Sequence, residues 1–203
     1  VDVGDSENET FWTDFLRGLV RRNLRGVRLV ISDAHAGLKA AIRRVFQGAG
    51  WQRWRVHAMR NFLAVAKHTH RLMIAALIRT IFAQPDADAA RTQLRAVVSQ
   101  LEPVAPDVAA KLEAAEDDLL AYTTYPPAHW TRIWSNNPIE RLNRELKRRT
   151  DVVQIFPNTE SVIRLVGALL VEVNDEMISS ERRYIAAGSL SLIHISEPTR
   201  QKP

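Results

Sequence analysis

A short buried strand is encoded by Gly26-Val27-Arg28-Leu29-Val30-Ile31-Ser32-Asp33. The run is apolar and β-branched and is stopped by polar residues, which is typical of a strand inside a parallel sheet. Helical periodicity precedes the strand from Phe11 to Leu24 and follows it through Phe46. The order helix, strand, polar strand end and helix predicts a βαβ-type unit and therefore an α/β fold.

Asp33 stands at the carboxyl end of this predicted strand. Functional groups of such sheets lie just past that edge, so Asp33 is a candidate site residue. The alternative is a structural role as N-cap of the following helix, because aspartate is a preferred capping residue. Local sequence leaves both roles open.

Residues 51–57 alternate well enough to predict a second short strand, and Met59 to Phe82 predicts one long amphipathic helix. His57 falls at the junction between sheet and helix. There it is either a reactive group or an ordinary hydrogen-bonded histidine.

Two further helical patterns over residues 85–122 carry an acidic, alanine-rich surface, which predicts an inserted helical subdomain. Beyond them, Trp130 and Trp134 are candidates either for stacking on bases or for packing beneath a loop.

A second informative stretch is Asn136-Asn137-Pro138-Ile139-Glu140-Arg141-Leu142-Asn143-Arg144-Glu145-Leu146-Lys147-Arg148-Arg149. Asn137 is a good N-cap, and Pro138 suits the first helical position. Seven residues make two turns, so Glu140 and Lys147 share a face, and a carboxylate among cations suits a site where a metal ion and a phosphodiester meet. The alternative is that Glu140 is the acidic half of a capping box with Asn137.

Composition excludes several classes of protein. The 203 residues are 46% hydrophobic and 25% charged, values of a soluble globular chain with one large domain or two small ones. No apolar run reaches the roughly 20 residues of a membrane span, and no signal-peptide pattern opens the chain. The absence of cysteine excludes disulfides and thiolate metal sites and fits a cytoplasmic protein.

Charge is distributed unevenly along the chain. The net charge is +5 and the pI is about 10.0, which favours a polyanionic partner such as nucleic acid. Residues 53–71 contain five Lys or Arg and no acid, and residues 132–149 contain six bases and two acids. Between them, residues 86–118 contain eight acids and three bases. If the two basic segments meet in space, they form one cationic surface.

Three motifs, in this order along the chain, resemble the Mutator-like (MULE-type) transposases of bacterial insertion sequences. The resemblance runs from about residue 1 to residue 187. The motifs are Leu29-Val30-Ile31-Ser32-Asp33-Ala34-His35-Ala36-Gly37-Leu38, Arg55-Val56-His57-Ala58-Met59-Arg60-Asn61, and residues 137–150 followed by Ile155-Phe156-Pro157-Asn158. The resemblance implies a DDE transposase with an RNase H-like core, interrupted by an all-helical insertion before the last carboxylate.

Carried over position by position, the resemblance makes Asp33 the second catalytic aspartate and Glu140 the catalytic glutamate. Both are then metal ligands in a two-metal site that holds Mg²⁺ or Mn²⁺ in the full-length protein. His57 is an accessory residue. The DNA-binding residues are expected to be Arg144, Lys147, Arg148 and Arg149. The implied partners are DNA, as transposon terminal inverted repeats and target, and further copies of the protein in a homo-oligomer. The implied location is the bacterial cytoplasm, at the nucleoid.

The chain departs from the family pattern in two places. Trp54 stands where the family has the cysteine of a Cys-x-x-His motif, while His57 is retained. The first catalytic aspartate belongs to a strand upstream of Val1, so we expect a fragment with a partial RNase H-like core, N-terminal strands missing, that is inactive in cleavage by itself. The alternative function is a non-catalytic basic DNA-binding fragment or regulator. A metal-dependent nuclease that cuts without joining is a weaker option.

These expectations divide the chain into four parts. Residues 1–84 are the truncated core with the second aspartate, and residues 85–130 are the helical insertion. Residues 131–188 carry the closing core helices with Glu140. Residues 189–203 resemble translated sequencing-adapter DNA and are expected to be a non-native tail.

Overall fold

Residues 8–134, 137–153 and 155–179 are described by the structure, which is a computed structural model. Their architecture is mostly helical, with a single two-stranded parallel sheet. The predictions for residues 1–7 and for the tail at 189–203 lie outside the described residues. No described helix is both long enough and apolar enough to cross a membrane.

The amino-terminal part is a βαβ unit with one additional helix. Helix α1 (Glu9–Arg21) precedes strand β1 (Leu29–Ser32), helix α2 (Ala36–Val45) and strand β2 (Gly50–Arg53). The strands are parallel, with Leu29 opposite Gly50 and Ser32 opposite Arg53. The amphipathic α1 packs on α2, and the buried residues of this small core are Leu16, Ala41, Ile42 and Trp51. The βαβ unit predicted from the sequence is confirmed.

The long helix predicted from Met59 to Phe82 is wrong. The segment forms two helices, α3 (Arg55–Val65) and α4 (Arg71–Ile81), separated by a short 3₁₀ helix at His68–His70. A continuous helix of that length would extend about 36 Å. The break instead lets both helices contribute to one core, since Phe62 and Ile74 are each almost fully buried in it. The Nε of Arg71 donates to the carbonyl of Ala66 at 3.4 Å across the break.

The remaining helices of the central region complete a larger helical core. They are α5 (Ala87–Leu101), α6 (Pro106–Glu113), α7 (Glu116–Leu120) and α8 (Pro127–Ile133), with a 3₁₀ helix at Ala121–Thr124. One continuous cluster of buried residues joins them to α3 and α4, so apolar contacts cross the boundary predicted at residue 84. The proposed division into domains stays a prediction.

Two polar side chains, Gln52 and Lys39, join the βαβ unit to the helical core. Gln52, on β2, is fully buried; its Nε2 donates to the carbonyl of Leu119 at 2.9 Å and its Oε1 accepts from the N–H of Tyr122 at 2.8 Å. On α2, the ammonium of Lys39 lies 2.6 Å from the carboxylate of Asp118 and 4.4 Å from the centre of the Trp51 ring. These contacts hold β2, and therefore the start of α3, against α7.

The last described elements are two long helices, α9 (Asn137–Val153) and α10 (Thr159–Ser179). Asn158 caps α10 by accepting from the N–H of Ser161 at 2.9 Å. Ion pairs join the two helices, with Arg149 and Glu172 at 2.9 Å and Arg141 and Glu176 at 3.6 Å. The helix predicted for the stretch around Glu140 is therefore confirmed.

Candidate catalytic and DNA-binding site

Asp33 follows the last residue of β1, where the sequence places it. The helix N-cap is not Asp33 but His35, whose Nδ1 accepts from the backbone N–H of Leu38 at 3.3 Å. The capping alternative for Asp33 is therefore wrong. Its side chain, 48% exposed, instead directs Oδ2 toward His57, with 2.7 Å between Oδ2 and Nδ1.

His57 is held in the first turn of α3 by an aromatic contact. Trp54 is the N-cap residue of this helix, and its ring stacks on the imidazole with centroids 4.3 Å apart and an interplanar angle of 17°. Trp54 is itself buried, at 8% exposure. The spacing i, i+3 brings the two rings together on one face of the turn. The indole thus restricts the imidazole to the orientation that meets Asp33.

The other ring nitrogen of His57 faces a cation. The Nη1 of Arg60 lies 3.5 Å from Nε2 of His57. A guanidinium only donates, so this contact suits the tautomer of His57 that carries its proton on Nδ1, facing the carboxylate. Asp33, His57 and Arg60 therefore form a row of anion, imidazole and cation across the end of the sheet.

A second guanidinium adds positive potential close to Asp33. Burial lowers the pKa of Arg53, and the carboxylates of Asp118 and Asp33 oppose that effect. Its guanidinium lies 5.5 Å from the centre of the Phe62 ring. Arg55, the first residue of α3, has its pKa lowered by burial and packs against Phe82 and Trp134. Both arginine side chains are therefore partly buried and pack on aromatic rings.

Glu140 lies in the first turn of α9, and its side chain is partly exposed. The helix begins at Asn137, so Glu140 is its fourth residue, one beyond the position of a capping-box acid. Among the described residues, Glu140 forms no hydrogen bond or ion pair with Asp33 or His57. The same part of the chain holds no cluster of three or more acidic or histidine side chains that could bind a metal ion. The structure thus pairs Asp33 with His57 and shows no such pairing of Glu140 with either.

The four predicted DNA-binding residues fall into two classes. Arg148 and Arg149 both bind the carboxylate of Glu145, at 2.7 and 2.9 Å, and these bonds lower the pKa of Glu145 to about 2. Arg144 and Lys147 are exposed, and neither forms an ion pair with another described residue. Only the second pair presents cations that are not already neutralised.

Two residues of the site were not singled out from the sequence. The sequence marks Trp54 only as a departure from a motif and Arg60 only as part of a resemblance. Their spacing is the sequence feature that could identify them, because Trp54, His57 and Arg60 follow one another at intervals of three residues from the start of α3. Trp130 and Trp134 are packing residues: the Trp130 indole donates to the carbonyl of Tyr125 at 2.7 Å, and Trp134 contacts Tyr122 edge-on.

Comparisons with known proteins agree on one family. The profile of the family described as "Transposase, Mutator family" matches residues 1–180. The transposase for insertion sequence element IS1081 of Mycobacterium tuberculosis is 45% identical over 207 aligned residues, covering 100% of this chain and 50% of that protein.

More distant relatives give the same result. The transposase for insertion sequence element IS406 of Burkholderia multivorans is 41% identical over 89% of this chain and 47% of its own length. The transposase for IS256 in transposon Tn4001 of Staphylococcus aureus is 37% identical over 90% of this chain and 47% of its own length. The chain spans about half the length of these curated relatives. It is a member of the Mutator family of transposases.

Proposed function

We propose that the chain is part of the catalytic region of a DDE transposase that cleaves and joins DNA at the ends of an insertion sequence. The observation that carries this proposal is Asp33, which lies at the carboxyl end of β1 in a chain that matches a transposase family over residues 1–180. Functional carboxylates of open parallel sheets occupy this edge. The proposed architecture is a partial RNase H-like core, interrupted by the helices between β2 and α9.

Mg²⁺ or Mn²⁺ suits the donor atoms present. Carboxylate oxygens are the ligands these ions prefer, and Asp33 offers an exposed carboxylate whose Oδ1 has no partner among the described residues. We propose Asp33 and Glu140 as ligands; the third carboxylate of the family pattern is not assigned to a residue of this chain. Bound metal would supply charge neutralisation at a phosphodiester and an activated water or 3′-hydroxyl.

The residues around Asp33 have separate roles in this proposal. His57 holds one carboxylate oxygen in place, which leaves the other directed outward, and Trp54 holds His57. Arg144 and Lys147 on α9 contact the DNA backbone, because their charges are free. Arg148 and Arg149 chiefly stabilise α9 and its contact with α10.

The proposed partners are DNA, both transposon ends and target, and further copies of the transposase. Transposition joins two DNA ends, so a homo-oligomer provides one site for each end. A DNA substrate of this kind places the protein in the bacterial cytoplasm, at the nucleoid.

The test uses the whole transposase that contains this chain and a labelled duplex carrying its transposon end. Asp33→Asn and Glu140→Gln should each abolish Mg²⁺-dependent cleavage and leave DNA affinity within about twofold, because the charges that bind phosphate remain. Asp14→Asn, at an exposed site on α1, is the matched control and should cleave normally. Full cleavage by the Asp33 variant would refute the assignment.

A non-catalytic DNA-binding function is the second candidate. The free cations of α9 favour it, since they support binding without any chemistry. Under this function the wild-type protein binds DNA but shows no metal-dependent cleavage, and removal of an unpaired cation such as Arg144 or Lys147 lowers affinity. The same set of variants therefore separates the two candidates.

A further inference from the structure

We infer that Arg60 is a phosphate-contacting residue of the site, and that His57 holds it beside Asp33. This inference rests on the proposed function, because it assumes that DNA approaches the end of β1. It adds a DNA contact on α3 to those proposed on α9.

The first argument compares the cations of residues 53–71, a segment without acidic residues, and asks which of them are free to bind a phosphate. Arg53 and Arg55 pack on aromatic rings with their charges partly buried, and Arg71 binds the carbonyl of Ala66. Arg60 and Lys67 remain as exposed cations without an acidic partner among the described residues. Of these, Arg60 contacts the Asp33–His57 pair.

The second argument is geometric. One imidazole ring separates the Arg60 guanidinium from the Asp33 carboxylate, with contacts of 3.5 and 2.7 Å on its two nitrogens. The guanidinium has five N–H groups, so most remain free after one approaches His57. A planar fork of donors suits a phosphate, which arginine binds through two parallel hydrogen bonds. A phosphodiester that reaches the Asp33 carboxylate therefore lies beside this fork.

The third argument is that His57, which contacts both Arg60 and Asp33, is itself held in position by its neighbours. Trp54 stacks on His57, and Gln52, two residues earlier, is anchored to Leu119 and Tyr122. The start of α3 therefore cannot shift independently of the helical core. A phosphate held by Arg60 is positioned relative to Asp33 by this support.

The test measures binding of the 203-residue chain to a fluorescein-labelled 30-base-pair duplex by anisotropy, with EDTA present so that no cleavage occurs. Arg60→Ala should weaken binding about tenfold at low salt. It should also reduce the slope of log affinity against log salt by about one, the effect of losing one phosphate contact. Arg60→Lys keeps the charge and should preserve the slope while recovering only part of the affinity, since lysine lacks the fork.

Two controls make the result specific. Arg43→Ala removes an equal charge from an exposed position in the last turn of α2, at the opposite end of the βαβ unit, and should leave the slope unchanged. Thermal unfolding checks that Arg60→Ala is folded, which its exposed helical position favours.

The outcomes distinguish this inference from the proposed function. Wild-type binding combined with an unchanged affinity and slope in Arg60→Ala overturns the Arg60 contact and leaves the DNA function intact. An equal loss in Arg43→Ala also overturns it, because the effect would then be one of net charge. If the wild-type chain binds no DNA, the Arg60 contact is overturned, whereas cleavage by the whole transposase still decides the proposed function.

Discussion

His57 Nδ1 lies 2.7 Å from Asp33 Oδ2, and this contact links the end of strand β1 to the first turn of helix α3. The carboxylate that we propose as a metal ligand is thus oriented by a histidine from a separate element. Asparagine places its amide nitrogen near the position of Nδ1, whereas glutamine places it near Nε2. The two substitutions therefore test which nitrogen matters.

We expect His57→Gln to lower metal-dependent DNA cleavage by the whole transposase about 10- to 100-fold, the usual cost of losing a residue that orients a metal-binding carboxylate. His57→Asn should recover most of the activity, because it can still donate to Asp33. Single-turnover cleavage of an end-labelled duplex measures both. Equal activity in the two variants would show that the contact with Asp33 is not what His57 contributes.

Trp54 contributes its ring rather than its N–H group. The indole Nε1 is buried and has no hydrogen-bond partner among the described residues, which costs stability. Trp54→Phe keeps a ring on His57 and removes that donor, so we expect a change in the free energy of unfolding below about 1.5 kcal/mol. Trp54→Ala should cost about 3–5 kcal/mol. Urea unfolding followed by circular dichroism compares the two, and similar losses in both would contradict this account.

Gln52 joins the sheet to the helical core through two buried hydrogen bonds. Gln52→Leu would leave the N–H of Tyr122 and the carbonyl of Leu119 buried without partners. We expect the free energy of unfolding to fall by about 3 kcal/mol, since each such group costs about 1–3 kcal/mol. Gln47→Leu, at an exposed position after α2, is the control and should change stability by less than about 0.5 kcal/mol. A loss in Gln52→Leu no larger than in the control would refute this role.

The cations of α9 should contribute unequally to DNA binding. Lys147→Ala should reduce the salt slope by about one, whereas Arg148→Ala should reduce it less, because Glu145 already neutralises Arg148. Glu145→Gln should raise DNA affinity by releasing Arg148, while Arg149 keeps its ion pair with Glu172. Anisotropy titrations at several salt concentrations give all three values. Equal slopes for Lys147→Ala and Arg148→Ala would show that the ion pair opens when DNA binds.

Glu145 should remain ionised in strongly acidic solution. Hydrogen bonds from Arg148 and Arg149 lower the pKa of its carboxyl from 4.5 to about 2. The folded pKa is below the unfolded one, so the stabilisation is present above pH 4.5 and is lost as pH falls toward 2. A carbon-13 NMR titration of the side-chain carboxyl should give a midpoint near 2. Arg149→Ala should move that midpoint upward, and a wild-type midpoint near 4.5 would contradict the ion pair.

Several features could be predicted because they depend on local patterns. The apolar run ending at Ser32 predicts the strand, and the position of Asp33 after it follows directly. Likewise, the helical pattern around Glu140 predicts α9, although the charge pairing on that helix is not evident from spacing. Arg148 has Glu145 three residues before it, but Lys147 has equally near acids and pairs with none of the described ones.

The break between α3 and α4 could not be predicted from periodicity. The apolar positions on both sides of Ala66 continue a helical pattern, and no proline or glycine interrupts them. The break follows from packing, since Phe62 and Ile74 are buried in one core only if the chain turns between them. The N-cap of α2 could not be predicted either, because both His35 and Asp33 stand where a residue can cap a helix. His35 is the N-cap, and the Asp33 carboxylate contacts His57 instead.

The sequence by itself determined the βαβ unit, most of the helices, the basic segments and the family, because periodicity, charge and motifs are properties of neighbouring residues. Only the tertiary structure decided which side chains act together. The contacts of Asp33 with His57, and of Gln52 with Leu119, join residues from different elements, and their geometry depends on how the helices pack on the sheet. Residues so far apart in the chain come into contact because the two hydrophobic cores are buried, and no local sequence pattern encodes that packing.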